Sequence, residues 1–348
     1  MDNFDNLIKY ATENNCSDVH ITVGTAVAVR KYGVLEIMQS IPSAESSKEM
    51  ILSRLSEEQK AKVLSGKDLD LSIMMEDGTR LRTNIFHQRN NLAATYRILQ
   101  KRIPSMEELG IPDVIKQMVD EARGLILITG PTGSGKTTTM AAMVDYINKT
   151  MNKHVITIED PIEYVYPYGK SMIHQRELGR DVETYEQALY SALREDPDII
   201  LVGEMRDDVT IRAAITAAET GHLVLSTLHT ATAAQTVERI IEAFPPHAQK
   251  QISAQLANVL KGVLSQVLIP MENKSGMVMA TEVLVNTDAV SNQIRENKAH
   301  QIPSSIQSGA NVGMHSLDND LKRLIREWKI SKEEAIKYCS NPKTFLDV

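Results

Sequence analysis

The sequence predicts an α/β protein in two parts, on three observations. Four short segments, Leu125 to Thr129, Val155 to Ile158, Ile199 to Val202 and Leu223 to Thr227, are almost wholly apolar, with helical-period stretches such as Tyr185 to Arg194 and Val209 to Thr220 between them. A glycine-rich turn, Gly130-Pro131-Thr132-Gly133-Ser134-Gly135-Lys136-Thr137, directly follows the first segment. Residues 1–100 read instead as strands grouped together with few helices. Near-continuous apolar strands that alternate with helices make a parallel sheet covered on both faces. The expected organisation is a smaller α+β domain over residues 1–100, a linker over 101–112 and the larger α/β domain over 113–348.

In chain order, Phe4, Leu7, Ile8 and Ala11 recur at helical spacing, and Val19 to Val23 and Ala26 to Tyr32 read as strands. Pro42-Ser43 opens one helix that ends before Ser65-Gly66. Leu69 to Met75, Arg80 to Gln88 and Leu92 to Leu99 follow as strands, with turns at Asp77-Gly78 and Asn90-Asn91. The segment from Lys101 to Pro112 is polar and carries two prolines, hence the expected linker. Beyond the alternating region, Gly221 suits the C-terminal cap of the preceding helix. Val263 to Ile269 and Met277 to Val285, joined through Asn273-Lys274-Ser275-Gly276, read as an antiparallel hairpin at the sheet edge. From Asp288 the pattern is helical, with Ser331 and Glu334 spaced as a capping box.

The glycine-rich turn fits the phosphate-binding pattern GxxxxGK[ST]. Glycines let successive backbone N–H groups face phosphate oxygens, and the helix that follows adds the positive end of its dipole. Lys136 is the cation for the outer phosphates and Thr137 offers a hydroxyl to Mg²⁺; Thr138 continues the binding set. Met140, Met143, Val144 and Ile147 at helical spacing place the turn between a strand end and a helix start.

Carboxylates follow two of the apolar strands. Glu204 ends Ile199 to Gly203, the position at which such an enzyme orders Mg²⁺ or its waters, and it outranks Asp196 and Asp198, which precede the strand as a polar turn. Glu159-Asp160-Pro161-Ile162-Glu163 emerges after Val155 to Ile158, at the edge where open α/β sheets bind ligands. Glu163 is the candidate for polarising an attacking water. His222 and His229 flank the fourth strand, and two histidines so spaced make no metal site without further ligands; each reads either as a packed or solvated residue or as a phosphate sensor. Arg80, Arg82, Arg89 and Arg97 punctuate the last strands of the first domain, as a solvated face or as arginine fingers on a neighbour's nucleotide.

Composition narrows the field. With 348 residues, 42% of them hydrophobic, the chain builds two or three domains with real cores. Its longest apolar runs are strand-sized, and Met1-Asp2-Asn3-Phe4-Asp5 lacks the basic-then-apolar plan of a secretory signal, so a soluble intracellular protein is expected. The formal charge of −7 argues against a chain whose main task is gripping nucleic acid. Cys16 and Cys339 stand at opposite ends with no CxxC, which excludes a Cys₄ zinc module.

Four segments, GPTGSGKT, VITIEDPIEY, DPDIILVGEMRD and TGHLVLSTLHT, occur in that order. Together they resemble the Walker A, Asp, Walker B and His boxes of the type II/type IV secretion ATPases, most of all the PilT-type pilus-retraction subgroup. Ser17-Asp18-Val19-His20-Ile21 and Arg82-Thr83-Asn84-Ile85-Phe86 resemble that subgroup's N-terminal domain, so the similarity spans nearly the whole chain. The resemblance implies a PAS-like N-terminal domain, a RecA-like P-loop ATPase core and a homohexamer with ATP and Mg²⁺ between subunits. It implies an ATPase that powers pilus retraction through an inner-membrane platform protein and the pilin machinery, cytoplasmic and held at the membrane by those partners. Carried over, Glu204 is the Walker B carboxylate and Glu163 the base, His229 senses the γ-phosphate with His222 in support, and Arg82 and Arg97 reach the ATP site. One motif departs. The family's AIRNLIRE reads Ala289-Val290-Ser291-Asn292-Gln293-Ile294-Arg295-Glu296 here, and that motif is associated with retraction rather than hydrolysis. The alternatives are a pilus-extension or secretion ATPase, whose relatives commonly carry the tetracysteine segment missing here, and a RecA-like nucleic-acid translocase.

Overall fold

The computed structural model describes residues 3–31, 34–39, 41–99, 102–273 and 276–345. The expected strand end at Tyr32, the linker start at Lys101 and the turn residues Lys274 and Ser275 lie outside these. The chain divides into two units: Met1–Arg102 with Pro161–Val165, and Ile103–Asp160 with Tyr166–Val348.

The first unit is an antiparallel sheet with helices. Its strands are β1 (Cys16–Thr22), β2 (Ala28–Lys31), β3 (Val34–Ile37), β4 (Leu69–Met74), β5 (Arg80–Gln88) and β6 (Asn91–Leu99), in the order β3-β2-β1-β6-β5-β4. The helix Phe4–Glu13 buries the predicted stripe Phe4, Leu7, Ile8 and Ala11, and the Asn3 side chain caps it by accepting from the Asp5 N–H. Phe4 packs on Tyr96 of β6 with ring centroids 4.8 Å apart. Three expectations need correction. Strand β3 was not foreseen, because all four of its residues are exposed and show no buried face. The single helix after Pro42-Ser43 is two, Ala44–Leu52 and Glu57–Leu64, the second opened by a capping box of Ser56 and Gln59. The β5–β6 turn is Arg89-Asn90, both at positive φ (47° and 61°), and Asn91 already pairs with Gln88, as a two-residue hairpin turn requires.

The second unit carries β7 (Gly124–Thr129), β8 (His154–Glu159), β9 (Met172–Glu177), β10 (Ile199–Val202), β11 (Leu223–Leu228), β12 (Leu260–Pro270) and β13 (Met277–Val285). The order is β13-β12-β7-β11-β10-β8-β9, parallel throughout except for the predicted antiparallel β12–β13 hairpin at one edge. Alternate residues of one strand enter opposite cores: Leu125 and Leu127 pack with Ile200 and Val202, whereas Ile126 and Ile128 pack with Ile199 and Leu201. That is how a doubly covered sheet makes each strand continuously apolar. The opposite edge strand, β9, was not foreseen, since Met172-Ile173-His174-Gln175-Arg176-Glu177 buries only its last residue. The stretch expected as a linker is likewise packed: Met106 and Ile111 are buried in the second unit's core, so its two prolines shape a folded segment.

The C-terminal helices Asp288–Arg295, Ile302–Ser308, Leu317–Arg326 and Lys332–Ile336 complete this unit, and Ser331 caps the last by accepting from the Glu334 N–H. Among the described residues no helix is long and apolar enough to cross a membrane. His315, whose Nε2 lies 2.9 Å from Thr281 Oγ1 of β13, is held below its ordinary value of 6.5, chiefly by burial. The unfolded chain therefore takes up a proton that the folded chain resists, and stability falls as pH drops below 6.5 toward the depressed folded value. The slope is at most about 1.4 kcal/mol per pH unit. Thermal unfolding between pH 7 and 5 should be flatter in His315→Gln than in the wild type; equal slopes would contradict this.

Candidate functional site

The glycine-rich turn leaves β7 at Thr129 and enters the helix Lys136–Thr150. Gly130, Gly133 and Gly135 have φ of 146°, 80° and 87°. At Gly130 a Cβ would strike the Gln266 carbonyl oxygen, so no other residue lets the loop leave the strand this way. Gly135 is the N-cap, with no side-chain cap among the described residues, which leaves the first-turn N–H groups for a ligand. Ser134 Oγ and Gln266 Oε1 are buried without a hydrogen-bond partner among the described residues. Gln266 Nε2 donates to Ser134 O at 2.6 Å, and Thr129 and Ser265 share a hydroxyl hydrogen bond of 2.8 Å, so β12 braces the loop from behind. Lys136 Nζ donates to the Gly130 and Pro131 carbonyls at 2.8 and 3.0 Å. Burial lowers its pKa, with Glu204 opposing. Positive-φ glycines, uncapped amides and a buried ammonium together suit a polyphosphate.

Glu204 follows β10, and His229 follows β11, its parallel neighbour. Both therefore emerge at the carboxyl edge, beside the glycine-rich turn after β7. His229 Nε2 lies 3.5 Å from Glu204 Oε2, and the Arg206 guanidinium pairs with Glu204 Oε1. Two hydroxyls fasten this edge: Ser226 Oγ donates to Val202 O at 2.8 Å and Thr227 Oγ1 to Gly203 O at 2.7 Å. Half-buried Thr137 and the Glu204 carboxylate are oxygen donors of the kind that Mg²⁺ accepts.

The other predicted residues divide. His222 precedes β11 and belongs to the amino edge, about 20 Å along the strand from His229. Its Nδ1 lies 2.9 Å from Ala217 O, so the ring closes the end of the helix Asp208–Glu219 and is not beside the phosphate loop of the same chain. Periodicity could not separate the two histidines; parallel pairing does. Asp198 accepts from the His154 N–H and from Lys153 Nζ, both at 2.9 Å, as the polar turn expected before β10. Glu163 lies in Pro161–Val165, which groups with the first unit, where its Oε1 is 3.7 Å from Arg82 Nη1. Arg82 is the cross-strand neighbour of Arg97, whose Nε donates to Asp18 at 3.0 Å. Arg80 is buried and donates to Ser72 Oγ at 2.7 Å, not a member of a solvated face. Sequence reasoning missed Gln266 and Arg206. Gln266 had a visible signal, a lone amide inside the apolar run Val263 to Ile269.

The family model described as "Type II/IV secretion system protein" matches residues 2–340. The chain belongs to that family. Within it, the chain is 42% identical to the Pseudomonas aeruginosa protein named "Type IV pilus retractation ATPase PilT", over 97% of this chain and 98% of the relative. It is 41% identical to the Escherichia coli protein "Uncharacterized protein YggR", over 94% and 100%. A crystal structure titled for the pilus retraction motor PilT and bound ADP superposes with a TM-score of 0.90 at 42% identity, covering 97% of each chain. The α/β architecture is accordingly that of this secretion family, with a RecA-like P-loop core. The departed motif forms the helix Asp288–Arg295, with Val290 and Ile294 buried. Ser291 Oγ donates to Ala257 O at 3.0 Å and Gln293 Oε1 accepts from Ser305 Oγ at 3.1 Å, so both altered positions are built into hydrogen bonds.

Proposed function

We propose that the chain is the subunit of a homohexameric motor that hydrolyses ATP between subunits and uses the energy to retract type IV pili. The observation that carries this is the full-length likeness, 42% identity over 97% of the chain, to a protein named as a type IV pilus retraction ATPase. The phosphate loop with Glu204 and His229 on one sheet edge supports the chemistry.

The loop amides and Lys136 hold the β- and γ-phosphates. Thr137 and Glu204 are the proposed holders of Mg²⁺, which when bound neutralises phosphate charge. His229, at Glu204, senses the γ-phosphate. Glu163 acts as the base for water, and Arg82 and Arg97 on the proposed PAS-like domain of residues 1–100 serve a neighbouring subunit's nucleotide. Their ion pairs with Glu163 and Asp18 hold both guanidinium groups until nucleotide competes for them. The subunits work at the cytoplasmic membrane face through a platform protein. A change of phosphate state then shifts one rigid body against another, the general basis of such switches.

Phosphate release by the purified protein, read with its mass in solution, tests the reading. The wild type should hydrolyse ATP as a hexamer, and Arg97→Ala should lose about 10³-fold in kcat or more at unchanged mass. Wild-type rates in both Arg97→Ala and Glu204→Ala would overturn the site.

A further inference from the structure

Tyr185 is the first residue of the helix Tyr185–Ala192, whose N-cap Thr184 accepts from the Gln187 N–H. Its ring packs against the core that also holds Ile158 and Val202, so it approaches the sheet's carboxyl edge from one face. There the hydroxyl meets Gly203: a Cβ added to that glycine would stand 3.1 Å from Tyr185 Oη and 3.2 Å from Ile158 O. Gly203 is itself fixed, its N–H donating to Ile158 O at 2.8 Å and its carbonyl accepting from Thr227 Oγ1 at 2.7 Å. The missing side chain at Gly203 thus gives the phenol its place, one residue from Glu204. Burial pushes the phenol above its ordinary value, and the carboxylates of Asp160 and Glu204 push the same way against Arg206. The group stays a neutral O–H donor beside the ends of β8 and β10.

We propose that Tyr185 is a positioning residue of the nucleotide site, its hydroxyl donating to the Glu204 carboxylate and holding it in place when Arg206 releases it. Glu204 faces Arg206 and His229, both at least half exposed; the long Arg206 side chain does not fix a carboxylate's orientation, and His229 Nε2 stands 3.5 Å away, at the far limit of a hydrogen bond. A phenol on a packed ring does, because its two χ angles are already restrained and its donor is neutral. In the structure Arg206 and His229 hold the Glu204 carboxylate; in the proposal the tyrosine hydroxyl takes over as the Arg206 ion pair opens, and the carboxylate keeps the orientation that Mg²⁺ or its waters require.

This rests on the nucleotide-site reading above. The test compares wild type, Tyr185→Phe and Tyr185→Leu as full chains. It measures kcat and KM for ATP, the unfolding temperature, and the affinity for fluorescent ADP with Mg²⁺ and with EDTA. Tyr185→Phe keeps the ring, so it should unfold as the wild type does and bind ADP equally in EDTA. Its gain in affinity on adding Mg²⁺ should shrink, and kcat should fall about tenfold at unchanged KM, the cost of one hydrogen bond to a charged group. Tyr185→Leu should add a loss of stability. A Tyr185→Phe protein with the wild-type Mg²⁺ gain and kcat, or one that loses only stability, overturns the proposal. Failure of the underlying reading shows separately, as a wild type that binds no ADP.

Discussion

Lys136→Ala should lose nucleotide binding and hydrolysis together, by about 10²–10³-fold in kcat/KM, the scale set by removing one preorganised charge from a transition state. The buried ammonium bridges the loop carbonyls of Gly130 and Pro131, so the loop's own backbone holds the cation. Burial disfavours its charge while Glu204 favours it, and phosphate oxygens would add far more to that second influence. The change also strips two carbonyls of their donor, each costing about 1–3 kcal/mol if it stays dry, so a lower unfolding temperature should accompany the loss. Lys136→Arg tests shape: a planar fork does not replace a point charge here, and activity should stay low. Fluorescent ADP titration and phosphate release check both variants. Undiminished ADP affinity in Lys136→Ala would place the nucleotide elsewhere.

Much of this was legible in the sequence where one signal sufficed. The four buried strands show because both faces of the sheet are covered, and the phosphate loop because its glycines serve backbone geometry alone. What escaped were features set by tertiary neighbours. The edge strands β3 and β9 bury too little to leave a pattern. His222 and His229 looked equivalent until parallel pairing sent them to opposite sheet edges. Gln266 braces the phosphate loop from 132 residues away, and Arg206 meets Glu204 only through the turn after β10. The Glu163–Arg82 pair, a loop residue beside a strand residue, has no sequence period that would announce it.

The second large effect is expected from Glu204→Ala. The glutamate side chain is only partly exposed yet faces a cation and a histidine, so its removal takes away the carboxylate that follows β10 without emptying a core. The variant should fold, bind nucleotide and keep the wild-type mass in solution, with hydrolysis reduced by about 10²–10³-fold or more. On the proposed hexameric reading, a ring of such subunits should occupy its place in the machinery without cycling. The most direct measurement of the central claim is therefore the number of surface pili per cell when Glu204→Ala replaces the wild type in cells that carry this protein. Retraction predicts more pili than wild type together with lost twitching motility; bare cells, or unchanged pili with motility intact, would contradict it.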